Sequence, residues 1–210
     1  MKKILVSCFA LILSASMLYA GDGFQLGVKA GFNSSSFDTS NGVKLNNETY
    51  QNVKNDFKSG YILGAWTSFP LAGNISLRPE VYYSKKSGKV EYDSEISETL
   101  NYYSWDIPVL VKLNILDLDV VNIYGLAGPA LSIRADEKVS VDEKVSVDEH
   151  NFDSGKMKSA NWNLQLGAGV EVMRFGLDAR YEWGLNDISS KSGIDRKTRA
   201  LMFSLSYRLF

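Results

Sequence analysis

The chain has 210 residues with 23 basic side chains against 24 acidic ones, a balance that gives no sign of nucleic acid as a partner. Its one cysteine, Cys8, lies in a leading segment, so loss of that segment leaves no thiol and excludes a disulfide scaffold or a cysteine-held metal. No later run of eighteen apolar residues could form a membrane-crossing helix.

Residues 1-20 read as a signal peptide. Lys2 and Lys3 make a basic start, Ile4 to Leu18 an apolar stretch, and Ala20 a small residue before the cut at Gly21. Leu5-Val6-Ser7-Cys8 resembles a lipoprotein signal only superficially, because it precedes most of the apolar stretch. Loss of Lys2 and Lys3 leaves 21 basic residues against 24 acidic, a net charge of −3. The remaining residues, 21-210, suit one domain.

Period-two alternation then recurs along the chain, the signature of a strand with two unlike faces. The first predicted strand, Phe24 to Phe32, sets Phe24, Leu26, Val28, Ala30 and Phe32 on one face. The second, Gly60 to Phe69, has a weaker phase. The third, Ile75 to Tyr83, opposes Ile75, Leu77, Val81 and Tyr83 to Ser76, Arg78, Glu80 and Tyr82. The fourth, Tyr103 to Ile115, is apolar at every odd position and carries Ser104, Asp106, Lys112 and Asn114 between. The fifth spans Val121 to Ile133. The sixth opposes Trp162, Leu164, Leu166, Ala168, Val170 and Val172 to Asn163, Gln165, Gly167, Gly169 and Glu171. The seventh opposes Leu177, Ala179, Tyr181 and Trp183 to Asp178, Arg180 and Glu182, and the eighth runs from Thr198 to Phe210.

Short turns at Pro70–Asn74, Leu116–Asp119 and Met173–Gly176 alternate with long polar links at Asp38–Lys58, Ser84–Asn101, Ala135–Ala160 and Leu185–Lys197. Short links on one side and long ones on the other, with an even strand count, predict an all-β fold: an eight-stranded antiparallel up-and-down transmembrane β-barrel. A soluble barrel would alternate too, with its apolar face inside. Three observations favour the inside-out version. The polar face is rich in small residues such as Gly27, Gly31, Gly64, Gly128, Gly167 and Gly169, which suit a crowded interior. Aromatics mark both rims: Phe69, Phe175, Tyr207 and Phe210 on one, Tyr83, Tyr103, Trp105, Trp162, Tyr181 and Trp183 on the other. The chain also ends on a phenylalanine, Phe210.

Leu77-Arg78-Pro79-Glu80-Val81-Tyr82-Tyr83-Ser84-Lys85-Lys86, Trp105-Asp106-Ile107-Pro108-Val109-Leu110-Val111-Lys112 and Gly125-Leu126-Ala127-Gly128-Pro129 resemble the PorT-like outer-membrane β-barrel family. Leu166 to Glu171 and Ala179 to Leu185 are similar to it as well, so the resemblance spans nearly the whole mature chain. It implies an eight-stranded barrel in the outer membrane of a Gram-negative bacterium; members of the family mostly lack a defined activity, so no function is inherited from it. One departure stands out. Phe210 follows Leu209 and falls in phase with Ser204, Ser206 and Arg208, which calls for a terminal bulge or a different reading of the assembly signal.

The phases put ten charges on the inward face: Lys29, Arg78, Lys112, Arg180 and Arg208 against Glu80, Asp106, Glu171, Asp178 and Glu182. An eight-stranded barrel has room for side chains and scarcely for a channel. Enclosed charges must be paired, because an isolated buried ion costs several kcal/mol. A structural ion-pair network is therefore the first reading, and a narrow proton or ion path along the same residues the second. Pro79, Pro108 and Pro129 each delete a ladder donor, so a bulge is expected at each.

The longest link contains a duplication, Asp136 to Val141 repeated at Asp142 to Val147, then Asp148-Glu149. Six is even, so Val139, Val141, Val145 and Val147 continue the odd phase of Leu131 and Ile133 and would extend the hairpin above the membrane. Its acidic pairs lack the spacing of a calcium loop. His150 is the sole histidine and has no second histidine to share a metal. Without a phosphate loop, nucleophile elbow or zinc motif, neither an enzyme nor a cofactor is expected. The reading is a non-enzymatic surface barrel whose loops serve surface contact or envelope structure. The alternative is a small porin or transporter for ions or small solutes. Expected partners are outer-membrane lipid and lipopolysaccharide, the barrel-assembly machinery, and an extracellular ligand or host protein at the loops. Nucleic acid is not expected, and the protein is read as a monomer.

Overall fold

The computed structural model describes residues 23–39, 43–45, 48–50, 53–92, 96–118, 120–143, 160–186 and 196–210. The signal segment, His150 and most of the second hexapeptide copy lie outside them. Ten strands follow in chain order: β1 (Gln25–Thr39), β2 (Val43–Leu45), β3 (Glu48–Tyr50), β4 (Val53–Ala72), β5 (Ile75–Tyr92), β6 (Ile96–Asp117), β7 (Val121–Glu143), β8 (Ala160–Val172), β9 (Phe175–Gly184) and β10 (Arg196–Arg208). Eight of them close an antiparallel barrel in the order β1-β10-β9-β8-β7-β6-β5-β4, while β2 and β3 form a separate small hairpin in the first long link.

Burial follows the alternation in the inverted sense. Phe32, Leu63, Leu166, Leu177 and Leu205 are exposed, whereas Lys29, Arg78, Glu80, Asp106 and Arg180 are buried. In water such a distribution would unfold the chain; in a hydrocarbon layer it places the apolar wall against lipid and the polar groups inside. The aromatic rims are contacting rows. The Tyr83 ring centroid stands 6.4 Å from that of Tyr61, 6.3 Å from Tyr103 and 5.3 Å from Trp105 at the long-link end. Phe175 and Tyr207 meet at 5.0 Å at the other end.

The strands are longer than alternation alone suggests. β6 and β7 hold 22 and 23 residues, roughly 70 Å of strand, against roughly 40 Å needed to cross a hydrocarbon core at a 45° tilt. Most of the predicted Ser84–Asn101 link is therefore hairpin, paired from Ser84 opposite Ser104 up to Tyr92 opposite Ile96. Above the bilayer neither face meets lipid, so no hydrophobic face remains to show a period.

Proline does not make the expected bulges. Pairing is interrupted between Pro79 opposite Val109 and Tyr82 opposite Asp106, then resumes in the same register. It does the same between Pro108 opposite Ala130 and Val111 opposite Ala127, and Pro129 keeps its place opposite Leu164. A missing N–H removes a bond without adding a residue, and a bulge requires the extra residue. Thr67 Oγ1 donates to the Pro79 carbonyl at 3.4 Å beside one such gap. The register shifts lie elsewhere, between Lys58 and Ile62, Pro70 and Ala72, Tyr103 and Ser104, and Asn114 and Leu116. The shift at Tyr103 opposite Asp136 and Ser104 opposite Arg134 leaves Ala135 over, so Val139 pairs with Leu100, an even position, and the odd phase of Ile133 does not continue into the hexapeptide. At the C-terminus the amides of Leu209 and Phe210 both bond the Leu26 carbonyl, at 2.8 and 3.3 Å. Two successive donors on one acceptor are a bulge, which accounts for the out-of-phase Phe210.

Candidate functional site

The barrel interior holds three linked layers of charge. In the middle, Glu80 of β5 accepts from Lys29 of β1 at 3.0 Å and from both Nη atoms of Arg180 of β9, each at 2.8 Å. Arg78 Nε stands 3.0 Å from the same carboxylate, and Arg180 Nε stands 2.6 Å from Asp178. These positions meet because each strand aims every second side chain inward, and register brings alternate residues of β1, β5 and β9 to one height.

Toward the short-turn end, Arg78 Nη1 reaches Glu171 of β8 at 3.4 Å, and Lys112 of β6 donates to the other Glu171 oxygen at 2.8 Å. The Arg78 guanidinium lies 4.2 Å above the Trp66 ring, while Lys112 Nζ lies 4.5 Å from the Tyr124 ring centroid. Cations sandwiched between carboxylates and aromatic faces are held on all sides. Trp66 Nε1, Arg78 Nη2 and the Tyr124 hydroxyl are nevertheless buried without a protein hydrogen-bond partner. Gly27 and Gly169 make room for the rings: a Cβ at either would stand 2.5 Å from Trp66 or Tyr124.

Toward the long-link end, Lys86 of β5 lies 2.6 Å from Glu182 and 3.1 Å from Asp106. Ser84 and Ser104 donate to Asp106 at 2.7 and 2.9 Å, and Gln165 donates to Glu182 at 2.8 Å and to the Tyr82 hydroxyl at 2.7 Å. Tyr82 thus stands between the upper and middle layers, with Lys29 Nζ 5.1 Å from its ring centroid.

Nine of the ten charges read from the sequence take part in these contacts. Arg208 does not stand among them: it is partly exposed at the short-turn rim and donates to the Met173 carbonyl at 3.0 Å. Lys86 occupies the fifth cationic position instead, so five cations still face five carboxylates. It was legible in principle, since Ser84 and Lys86 extend the even phase of Ser76 to Tyr82; ending the third strand at Tyr83 left it in a loop. Below the lowest layer a cavity of about 200 Å³ opens at the short-turn end, lined by Gln25, Ser68, Lys112, Asp117, Glu171 and Arg208. Among the described residues no group of three His, Cys, Asp or Glu could hold a metal ion.

The outer membrane protein beta-barrel domain family matches residues 15–190. No protein of curated function matches the sequence. Among solved structures, the outer membrane protein OprG from Pseudomonas aeruginosa aligns at 13% identity over 88% of this chain and 95% of its own, with a TM-score of 0.52. The attachment invasion locus protein Ail of Yersinia pestis aligns at 14% identity over 88% and 98%, with a TM-score of 0.40. Neisserial surface protein A aligns at 12% identity over 89% and 99%, with a TM-score of 0.46. At these identities the OprG likeness bears on the fold alone.

Proposed function

This chain belongs to the outer membrane protein beta-barrel domain family, and from that premise we propose a non-enzymatic barrel of the bacterial outer membrane whose long-link face serves surface contact or envelope structure. The observation that carries the proposal is the filled lumen. Five carboxylates and five cations interlock from Lys112 to Lys86, which supports a packed wall over a solute path. An eight-stranded barrel leaves little space beyond such side chains. The protruding β4–β7 wall supports a role on the extracellular side, since short turns face the periplasm in this architecture.

The finer parts of the proposal rest on sequence. The motif order from Leu77 to Leu185 supports membership of the PorT-like branch, and Lys2 to Ala20 supports export through a cleaved signal peptide. Insertion through the barrel-assembly machinery is proposed, as is a monomer.

Planar-bilayer recording of the folded protein tests the filled lumen: the expected result is no conductance above the bare bilayer. Reproducible single-channel steps would replace the proposal with the porin reading. Release of fatty acid from outer-membrane lipid, abolished by His150→Ala, would replace it with an enzyme.

A further inference from the structure

At the short-turn end the unburied charges Asp117, Glu171, Arg174 and Arg208 are mixed. At the extracellular rim the unburied charges among the described side chains are Lys58, Lys85, Arg134, Lys197 and Arg199, all cations. Two of these sit on the outer wall at the height of the aromatic row. Lys85 is opposite Tyr103 on β6, one step above Tyr83. Arg199 is opposite Trp183 on β9, one step above Leu201, and it engages another group of the protein.

Between them run β1 and β4, whose residues there are small. Ser34 is opposite both Leu201 and Ser59, and Gly60 presses against the Lys85 carbonyl so closely that a Cβ would overlap it. Beneath this serine floor lie exposed aromatics: Phe32 and Phe203 stack at 5.4 Å, and Tyr61 stands opposite Phe32. The result is a shallow saddle, cationic on both flanks and apolar on the membrane side. Its flanks stand three inter-strand spacings apart across the sheet and three to four residues apart along it, roughly 18 Å in all.

We infer that this saddle seats the headgroup of a phosphorylated glycolipid of the outer leaflet, of the lipopolysaccharide type. Arg199 takes one phosphate, Lys85 a second, the serines the sugar between them, and the Phe32–Phe203 pair the first acyl carbons. Guanidinium and ammonium groups are the natural donors to phosphate, and aromatic rings at this depth anchor the sugar–acyl boundary. The inference rests on the outer-membrane placement proposed above, because only there does such a lipid face this rim.

The test is native mass spectrometry of the full-length protein in nanodiscs containing diphosphorylated lipid A, bis-dephosphorylated lipid A or phosphatidylglycerol. The wild type should retain the diphosphorylated lipid at least tenfold better than the other two, and Lys85→Gln/Arg199→Gln should lose that preference while keeping its heat-modifiable gel shift. Equal retention of all three lipids, or unchanged retention by the variant, would overturn the inference. So would loss of binding to a soluble sulfated polysaccharide without loss of lipid, which would move the saddle to host recognition. Outer-membrane fractionation separates the two levels: a folded, fractionating protein that ignores phosphate sinks the saddle alone, and failure to fractionate sinks the placement.

Discussion

Arg180→Ala is the sharpest perturbation of the interior. Arg180 holds Glu80 through two 2.8 Å bonds and Asp178 at 2.6 Å. After truncation Glu80 keeps Lys29 and Arg78, both at 3.0 Å. Asp178 is only 5% exposed, and Arg180 is its one ion-pair partner among the described residues. The variant thus leaves a buried carboxylate without its ion-pair partner, and breaking a buried pair this way costs roughly 3–5 kcal/mol. Against a typical total of about 5–15 kcal/mol, such a loss is plain in a urea titration in lipid vesicles, as a lower midpoint at unchanged slope. Adding Asp178→Asn removes the stranded charge and should restore about 1–2 kcal/mol of the loss, as residues sharing one network couple. A single variant within 1 kcal/mol of wild type, or a double variant whose two losses simply add, would refute the network reasoning.

Lys86→Met leaves the Asp106 and Glu182 carboxylates facing each other with their shared cation gone. It should lower stability by roughly 3 kcal/mol in the same titration, whereas Arg208→Met at the open rim should stay within about 1 kcal/mol; the reverse ranking would restore Arg208 as the interior cation. Met173 holds φ 56° in the two-residue β8–β9 turn while 72% exposed, so its side chain gains little there. Met173→Gly should raise the urea midpoint by the equivalent of about 0.5–1 kcal/mol, since glycine adopts this conformation without the Cβ clash; a lowered midpoint would show that the turn is not strained.

The amino-acid order alone separated the two faces of each strand. From Tyr103 to Ile115 the odd positions are apolar and the even ones polar, and a period of two admits one geometry whatever the partners. The same parity placed Lys29, Glu80, Asp106, Asp178 and Arg180 together inside, because a closed wall has only two sides. Strand length and register were decided by the tertiary structure. Above the bilayer no lipid meets the outer face, so no apolar period marks Ser84–Asn101 as hairpin, and Lys86 was lost from the inward set with it although it carries on the even phase of Ser76 to Tyr82. The prolines were similarly opaque. Whether a missing donor is absorbed by a skipped rung or by an extra residue depends on the neighbouring strand, and here the register shifts fell away from all three prolines, the one at Ala135 among them. Which cation meets which carboxylate depends on stagger between strands far apart in the chain, such as β5 and β9, and no local pattern encodes it. Parity is a property of each strand by itself; pairing belongs to the closed barrel.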